Sequence, residues 1–168
     1  MISKGLDFGN VAVVGILNAD TMLNYPDFRA YEHAFMMLSQ VSGRAGRRGD
    51  RGLVILQTKS ADLPVIRQVV DNDFAGFAHD LLEERRMFHY PPYWRLVYVF
   101  LRHRDEHTVE SAAIEMASRL RQSFADRVLG PDKPSVARVK TENIRKIVLK
   151  LENGIDLNLA RQLMREAR

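Results

Sequence analysis

The sequence predicts an α/β segment followed by a smaller α+β domain. Three observations carry that reading. Residues 11–58 read strand, helix, strand, and both strands are continuous apolar runs rather than alternating ones. From Ala61 the pattern turns to short helices, the last of them stopped by Tyr90-Pro91-Pro92-Tyr93. From Trp94 onward come a long alternating strand, a helix, two further alternating stretches and a final helix.

The elements follow in order. Residues 11–17 are apolar without a break between Asn10 and Asn18, the pattern of a strand covered on both faces. Asn18-Ala19-Asp20 forms a polar loop at its carboxyl end, where α/β proteins place ligand contacts. Tyr25-Pro26 is a turn, and Asp27 stands where it can cap the helix outlined by Phe28, Tyr31, Phe35, Met36 and Leu38. Residues 52–58 are the next strand. Residues 62–70 form a short helix with Pro64 in its first turn, capped by Ser60 or Asp62. Residues 73–87 form a second helix, with Phe74, Phe77, Leu81 and Leu82 as a core stripe.

Along the strand at 94–102, Arg95, Val97, Val99 and Leu101 point one way and Leu96, Tyr98, Phe100 and Arg102 the other. The helix at 108–124 turns Ala112, Ala113, Met116, Ala117 and Leu120 inward, and Val128-Leu129-Gly130-Pro131 ends in a turn. Residues 136–140 and 144–151 alternate, and 155–168 form a helix with Leu157, Leu159, Ala160 and Leu163 apolar. This plan is one strand short of the ferredoxin-like arrangement.

The totals bound the class. The chain has 168 residues, 46% hydrophobic and 27% charged, enough for one full core or two small ones. A net charge of +4 permits a polyanionic partner without requiring one. There is no cysteine, which excludes disulfides and thiolate zinc sites from this chain. His103 and His107 have the spacing of a metal pair, but their charged neighbours favour a solvated turn. No metal site is expected. No apolar run of about 18 residues is present and the N-terminus has no signal-peptide pattern, so no membrane partner is expected.

The densest chemistry lies in Gln40-Val41-Ser42-Gly43-Arg44-Ala45-Gly46-Arg47. Arg44 and Arg47 are three residues apart, so on a helix they share a face and their guanidiniums can fork around phosphate oxygens. Two arginines alone are more often a salt-bridged surface. The amide, the glycines and the following strand favour phosphate recognition. This Q-x-x-G-R-x-G-R pattern resembles motif VI of superfamily 2 helicases. Its wording is closest to the PriA-type primosomal replication-restart helicases, the primosomal protein N′ family.

A second stretch, Glu84-Arg85-Arg86-Met87-Phe88-His89-Tyr90-Pro91-Pro92-Tyr93, resembles that family's junction between motor and C-terminal domain. A third, Ser3-Lys4-Gly5-Leu6-Asp7-Phe8, resembles motif V, although Gly-Leu-Asp by itself is only a turn. The resemblance implies a RecA-like helicase lobe 2, of which 1–60 would be the end. A helical connector over 61–92 and a C-terminal α+β DNA-binding domain over 93–168, its last strand missing, would follow.

The resemblance also implies roles. Arg44 and Arg47 would neutralise charge on the ATP γ-phosphate, with Gln40, Gly43, Gly5 and Asp7 facing the nucleotide. Ser3 and Lys4 would approach DNA. ATP with Mg2+, and zinc, belong to the intact protein. The sequence has no G-x-x-x-x-G-K-[ST] loop and no D-E-x-H acid pair, so this chain alone is expected to hydrolyse no ATP. Implied partners are forked and single-stranded DNA, primosome proteins and a single-stranded-DNA-binding protein, in the bacterial cytoplasm.

Between Lys133 and Lys150, six cations face the single acid Glu142. Arg138, Lys140, Arg145 and Lys146 are the candidates for DNA contact, as a basic strip if the strand register brings them together. Tyr93, Trp94 and Tyr98 are candidates for base stacking. The competing readings are a solvated strand face, a basic α+β module for RNA or ribosomes without motor function, and a dimerisation fragment joined through the open edge of the first segment.

Overall fold

The computed structural model describes residues 12–43 and 52–167, which fall into two units, Met1–Glu83 and Glu84–Arg168.

In the first unit, strands β1 (Val13–Ile16) and β2 (Leu53–Leu56) pair in parallel, Val13 beside Leu53 and Ile16 beside Leu56. Parallel strands need a crossover, and helices α1 (Asp20–Leu23) and α2 (Ala30–Ser42) lie within it. Ile16 packs with Ala34, Phe35 and Leu38 of α2, joined by Val54 and Leu56. The expectation that these strands are covered on both faces is corrected. Val13, Leu53 and Ile55 are each more than half exposed, because all the helices of this core lie against the other face.

Helices α3 (Pro64–Val70) and α4 (Phe74–Met87) complete the unit. Of the stretch expected as a connector, Val65, Ile66, Val69 and Phe77 pack into this core, and Phe77 stacks on Phe35 with ring centroids 4.1 Å apart. The expected stripe is narrower than predicted: Phe74 is 65% exposed and Leu82 also faces solvent. Neither Ser60 nor Asp62 caps α3, whose N-cap is Leu63 with no side-chain bond. Asp27 accepts the Arg29 N–H at 2.9 Å, one residue ahead of the first helical turn.

Asp20 does more than fill a loop. Its carboxylate accepts the Thr58 hydroxyl at 2.7 Å and the Lys59 N–H at 2.9 Å, fastening the carboxyl ends of β1 and β2 together. The Lys59 amide and the Thr58 hydroxyl hold its pKa below the ordinary carboxylate range.

The second unit has a sheet of strands β3 (Trp94–His103), β4 (Val128–Asp132), β5 (Arg138–Val139) and β6 (Glu142–Glu152). Its order is β3-β6-β4, with β5 also on β6, and every pairing is antiparallel. Helices α5 (Glu106–Phe124) and α6 (Leu157–Glu166) start at Asp105 and Asp156, whose carboxylates accept amides of the first turn. Ala117, Leu120 and Phe124 of α5 and Ala160 of α6 bury Val128, Ile147, Leu149 and Leu151 of the sheet. Ala112 is exposed rather than inward.

Gly130-Pro131 does not end in a turn but lies within β4. Gly130 has φ of 91°, and a Cβ there would come within 2.8 Å of the Lys146 carbonyl, so only glycine fits.

Two tests follow from these cores. Leu38→Ala and Leu149→Ala, each at a fully buried site, are expected to cost about 2–5 kcal/mol in urea unfolding, while exposed Met36→Ala stays within about 0.5 kcal/mol. The Asp20 contribution is complete above its unfolded pKa of about 3.9 and is lost as pH falls through the lower folded value. Asp20→Asn is therefore expected to destabilise the first unit at neutral pH and to flatten its acid unfolding below about pH 4. An unchanged acid limb would show that the clip contributes nothing.

Candidate nucleic-acid interface

Side chains alternate across a strand, and both helices of the second unit serve one face of its sheet. On β6, Arg145, Ile147, Leu149 and Leu151 are buried on that face, leaving Lys146, Val148 and Lys150 to the other. The register sets Phe100 opposite Lys146 and Tyr98 opposite Val148, with Leu129 of β4 on the far side of Val148. Tyr98, Phe100 and Leu129 are 44%, 50% and 43% exposed, so three adjacent strands carry one open apolar surface. A phenylalanine left half exposed forgoes roughly 1 kcal/mol of burial.

Cations border this surface. Lys146 Nζ lies 5.6 Å from the Tyr98 ring centroid. Arg102, exposed, is opposite Ile144 on the same side of the sheet as Phe100. The acids of this face are Asp132, opposite Lys146, and at the two ends of β6 Glu142, exposed, and Glu152, paired with Arg127. The Tyr98 and Phe100 rings are 6.3 Å apart and tilted by 37°.

The expected basic strip does not form. Arg145 and Lys146 are consecutive strand residues and therefore face opposite ways. Arg145 is 3% exposed beneath α5, where it contacts Glu110 and donates to Glu106 at 3.0 Å. Glu106 is shared with Lys133 at 2.9 Å, and these two cations hold its carboxyl below the usual range. Arg138 pairs with Asn143, which puts it on the Arg145 side, and Lys140 sits in the turn with φ of 54°. Both are exposed, but neither shares a face with Lys146.

Two of the three stacking candidates are half-buried and pack on residues of the junction. Arg86 lies 4.9 Å over the Tyr93 ring, and Trp94 packs on His89 at 4.2 Å. Lys150 Nζ donates to the Phe88 carbonyl at 2.6 Å and sits 3.9 Å from the Tyr90 ring centroid, its pKa lowered by burial. Asn153 donates to the Pro92 carbonyl at 2.8 Å. These contacts staple the Tyr90-Pro91-Pro92-Tyr93 junction to β6. Phe100, not among the candidates, replaces Tyr93 and Trp94 as the exposed partner of Tyr98.

In the first unit, Gln40 and Gly43 are both exposed at the end of α2. Gly43 has φ of −66°, and a Cβ there would make only ordinary contacts, so the helix itself does not call for glycine. Ser3, Lys4, Gly5, Asp7, Arg44 and Arg47 lie outside the described residues. The Asp105 amide donates to His103 Nδ1 at 3.1 Å, closing the turn ahead of α5. Among the described residues no group of three His, Cys, Asp or Glu is placed to hold a metal, and no helix is long and apolar enough to cross a membrane.

Residues 86–168 match the family model of the primosomal protein N C-terminal domain. The replication restart protein PriA of Bacillus subtilis is 39% identical over 160 residues, covering 94% of this chain and 20% of the relative. The chain belongs to the PriA family. The PriA of a Synechocystis species is 37% identical over 164 residues, and that of Treponema pallidum 36% over 152, covering 20% and 23% of those relatives. The chain thus spans about a fifth of the length of these relatives. The stapled Y-P-P junction lies inside the matched domain.

The two adjacent cations separate cleanly in a stability assay. Lys146→Ala is expected to leave urea unfolding within about 0.5 kcal/mol, and Arg145→Ala to lower it by several times that margin, since Arg145 is buried among its ion pairs. Equal effects would show that the two do not face opposite ways.

Proposed function

We propose that this chain is the C-terminal part of an ATP-dependent 3′-to-5′ DNA helicase that restarts stalled replication forks and helps to assemble the primosome. The observation that carries the reading is the segment 86–168, which matches the family's C-terminal domain and folds into a sheet with an open aromatic face bordered by Lys146 and Arg102. Its exposed cations Arg102, Arg138 and Lys140, with half-buried Lys146, suit the phosphate backbone of DNA. Arg145 is left out of that set, being committed to Glu106 and Glu110.

The first unit supplies the end of the second motor lobe. Gln40 and Gly43 end α2 toward ATP, with Arg44 and Arg47 on the γ-phosphate and Gly5 and Asp7 on the nucleotide. Close approach of the nucleotide accounts for a glycine at position 43 that its own helix does not require. Ser3 and Lys4 approach DNA. The phosphate-cradling loop, the acids for Mg2+ and the zinc site lie in the remainder of the intact protein. Primosome proteins and a single-stranded-DNA-binding protein are its partners, in the bacterial cytoplasm.

Fluorescence anisotropy of this chain against forked and single-stranded DNA, across a range of salt, tests the DNA role. Binding is expected to weaken with salt. Replacing Arg138, Lys140 and Lys146 together by Ala is expected to reduce the log–log salt slope by roughly 2, each single-strand phosphate contact contributing about 0.7. No binding at low salt would overturn the reading. In the intact enzyme, Arg44→Ala or Arg47→Ala is expected to lower ATP turnover by about 10³-fold, and this chain alone to show none; DNA-stimulated hydrolysis by the chain alone would contradict that.

A further inference from the structure

We infer that the open face of the second unit's sheet holds single-stranded DNA by stacking its bases on Tyr98 and Phe100. The inference rests on the DNA reading above and deepens it, from backbone attraction to recognition of unpaired bases.

The first ground is the geometry of the two rings. They belong to the same strand, two residues apart, and so project from the same face. Their centroids are 6.3 Å apart, and both rings are about half exposed. Two neighbouring aromatic rings on a sheet surface offer successive bases of a single strand a π-face each. A duplex keeps its bases stacked on one another and has none to spare.

The second ground is the chemistry of the surroundings. Phe100 has no polar atom with which to suit water, yet it lies beside exposed Tyr98 and near Leu129 rather than under a helix. A contiguous exposed apolar patch of this kind marks a binding site. Two cations stand at the rings themselves: Lys146 reaches over the Tyr98 ring and Arg102 extends the same face past Phe100, while the acids of that face are Asp132 opposite Lys146, Glu142 at the start of β6 and Glu152, which Arg127 pairs. Rings for bases with cations at their border describe a strand whose backbone is anionic and whose bases are free.

The third ground is what the face does not include. Lys150, on the same face by register, is committed to the Phe88 carbonyl and the Tyr90 ring. Tyr93 and Trp94 are engaged by Arg86 and His89. By exposure the rings of the platform are Tyr98 and Phe100, with Lys146 and Arg102 as its cations.

The test is anisotropy titration of this chain at one low salt concentration against three labelled strands of equal length: oligothymidylate, the same sugar-phosphate strand without bases, and oligouridylate. Oligothymidylate is expected to bind at least about 10-fold more tightly than the abasic strand, and this comparison needs no variant. Tyr98→Leu with Phe100→Leu, which keeps strand-compatible apolar side chains, is expected to remove that difference while leaving abasic binding unchanged. Equal affinity for the thymidylate and abasic strands would overturn the stacking role and leave backbone binding standing. Binding to no strand, as for a face that takes a protein, would overturn both. A clear preference for oligouridylate would overturn the assignment to DNA.

Discussion

Strand β6 is the constraint on which the second unit depends. It is flanked by β3 on one side and by β4 and β5 on the other, so its eleven residues set the facing of every neighbour. One face receives both helices and must be apolar or fully paired. That is why Arg145 is met there by two carboxylates from α5. The other face has no helix, and its residues need not be apolar. Tyr98, Phe100 and Leu129 are apolar there all the same, and this departure from what folding demands is what points to a ligand.

The same strand also holds the segment that precedes β3. Lys150 and Asn153 reach from β6 and the turn after it to the carbonyls of Phe88 and Pro92. They fix the segment that leads out of α4 into β3. The Y-P-P junction is thus more than a helix stop: its shape is held by the sheet that bears the open face. In the first unit Asp20 plays a comparable part, joining two strand ends that share no sequence neighbourhood.

Much of this was legible beforehand. The two faces of β3 follow from alternation alone, and α5 begins two residues before the start its pattern predicts, at an Asp105 cap the pattern does not name. The family was legible from the arginine motif and the Y-P-P junction. What escaped was whatever depends on partners distant in sequence. The pairing of β5 and β6 decides which cations share a face, and neither register nor the buried commitment of Arg145 can be read from a run of basic residues. Glu106 and Glu110, four apart on α5, were the one available signal. Gly130-Pro131 reads as a turn by composition and sits in β4 because Gly130 fits against the Lys146 carbonyl. Alternation puts Phe100 on one face of β3 without saying which face the helices cover. Counting helices against sheet faces would have left it outside.

The central claim is that the two faces of this sheet have different tasks, packing on one side and DNA on the other. Its most direct measurement is an NMR titration of the chain with short single-stranded DNA, following ring and methyl signals. The account predicts shifts at Tyr98, Phe100 and Leu129, with Ile147 and Leu149 unmoved beneath the helices. Shifts confined to α5, or to the first unit, with the Tyr98 and Phe100 rings unchanged, would contradict it.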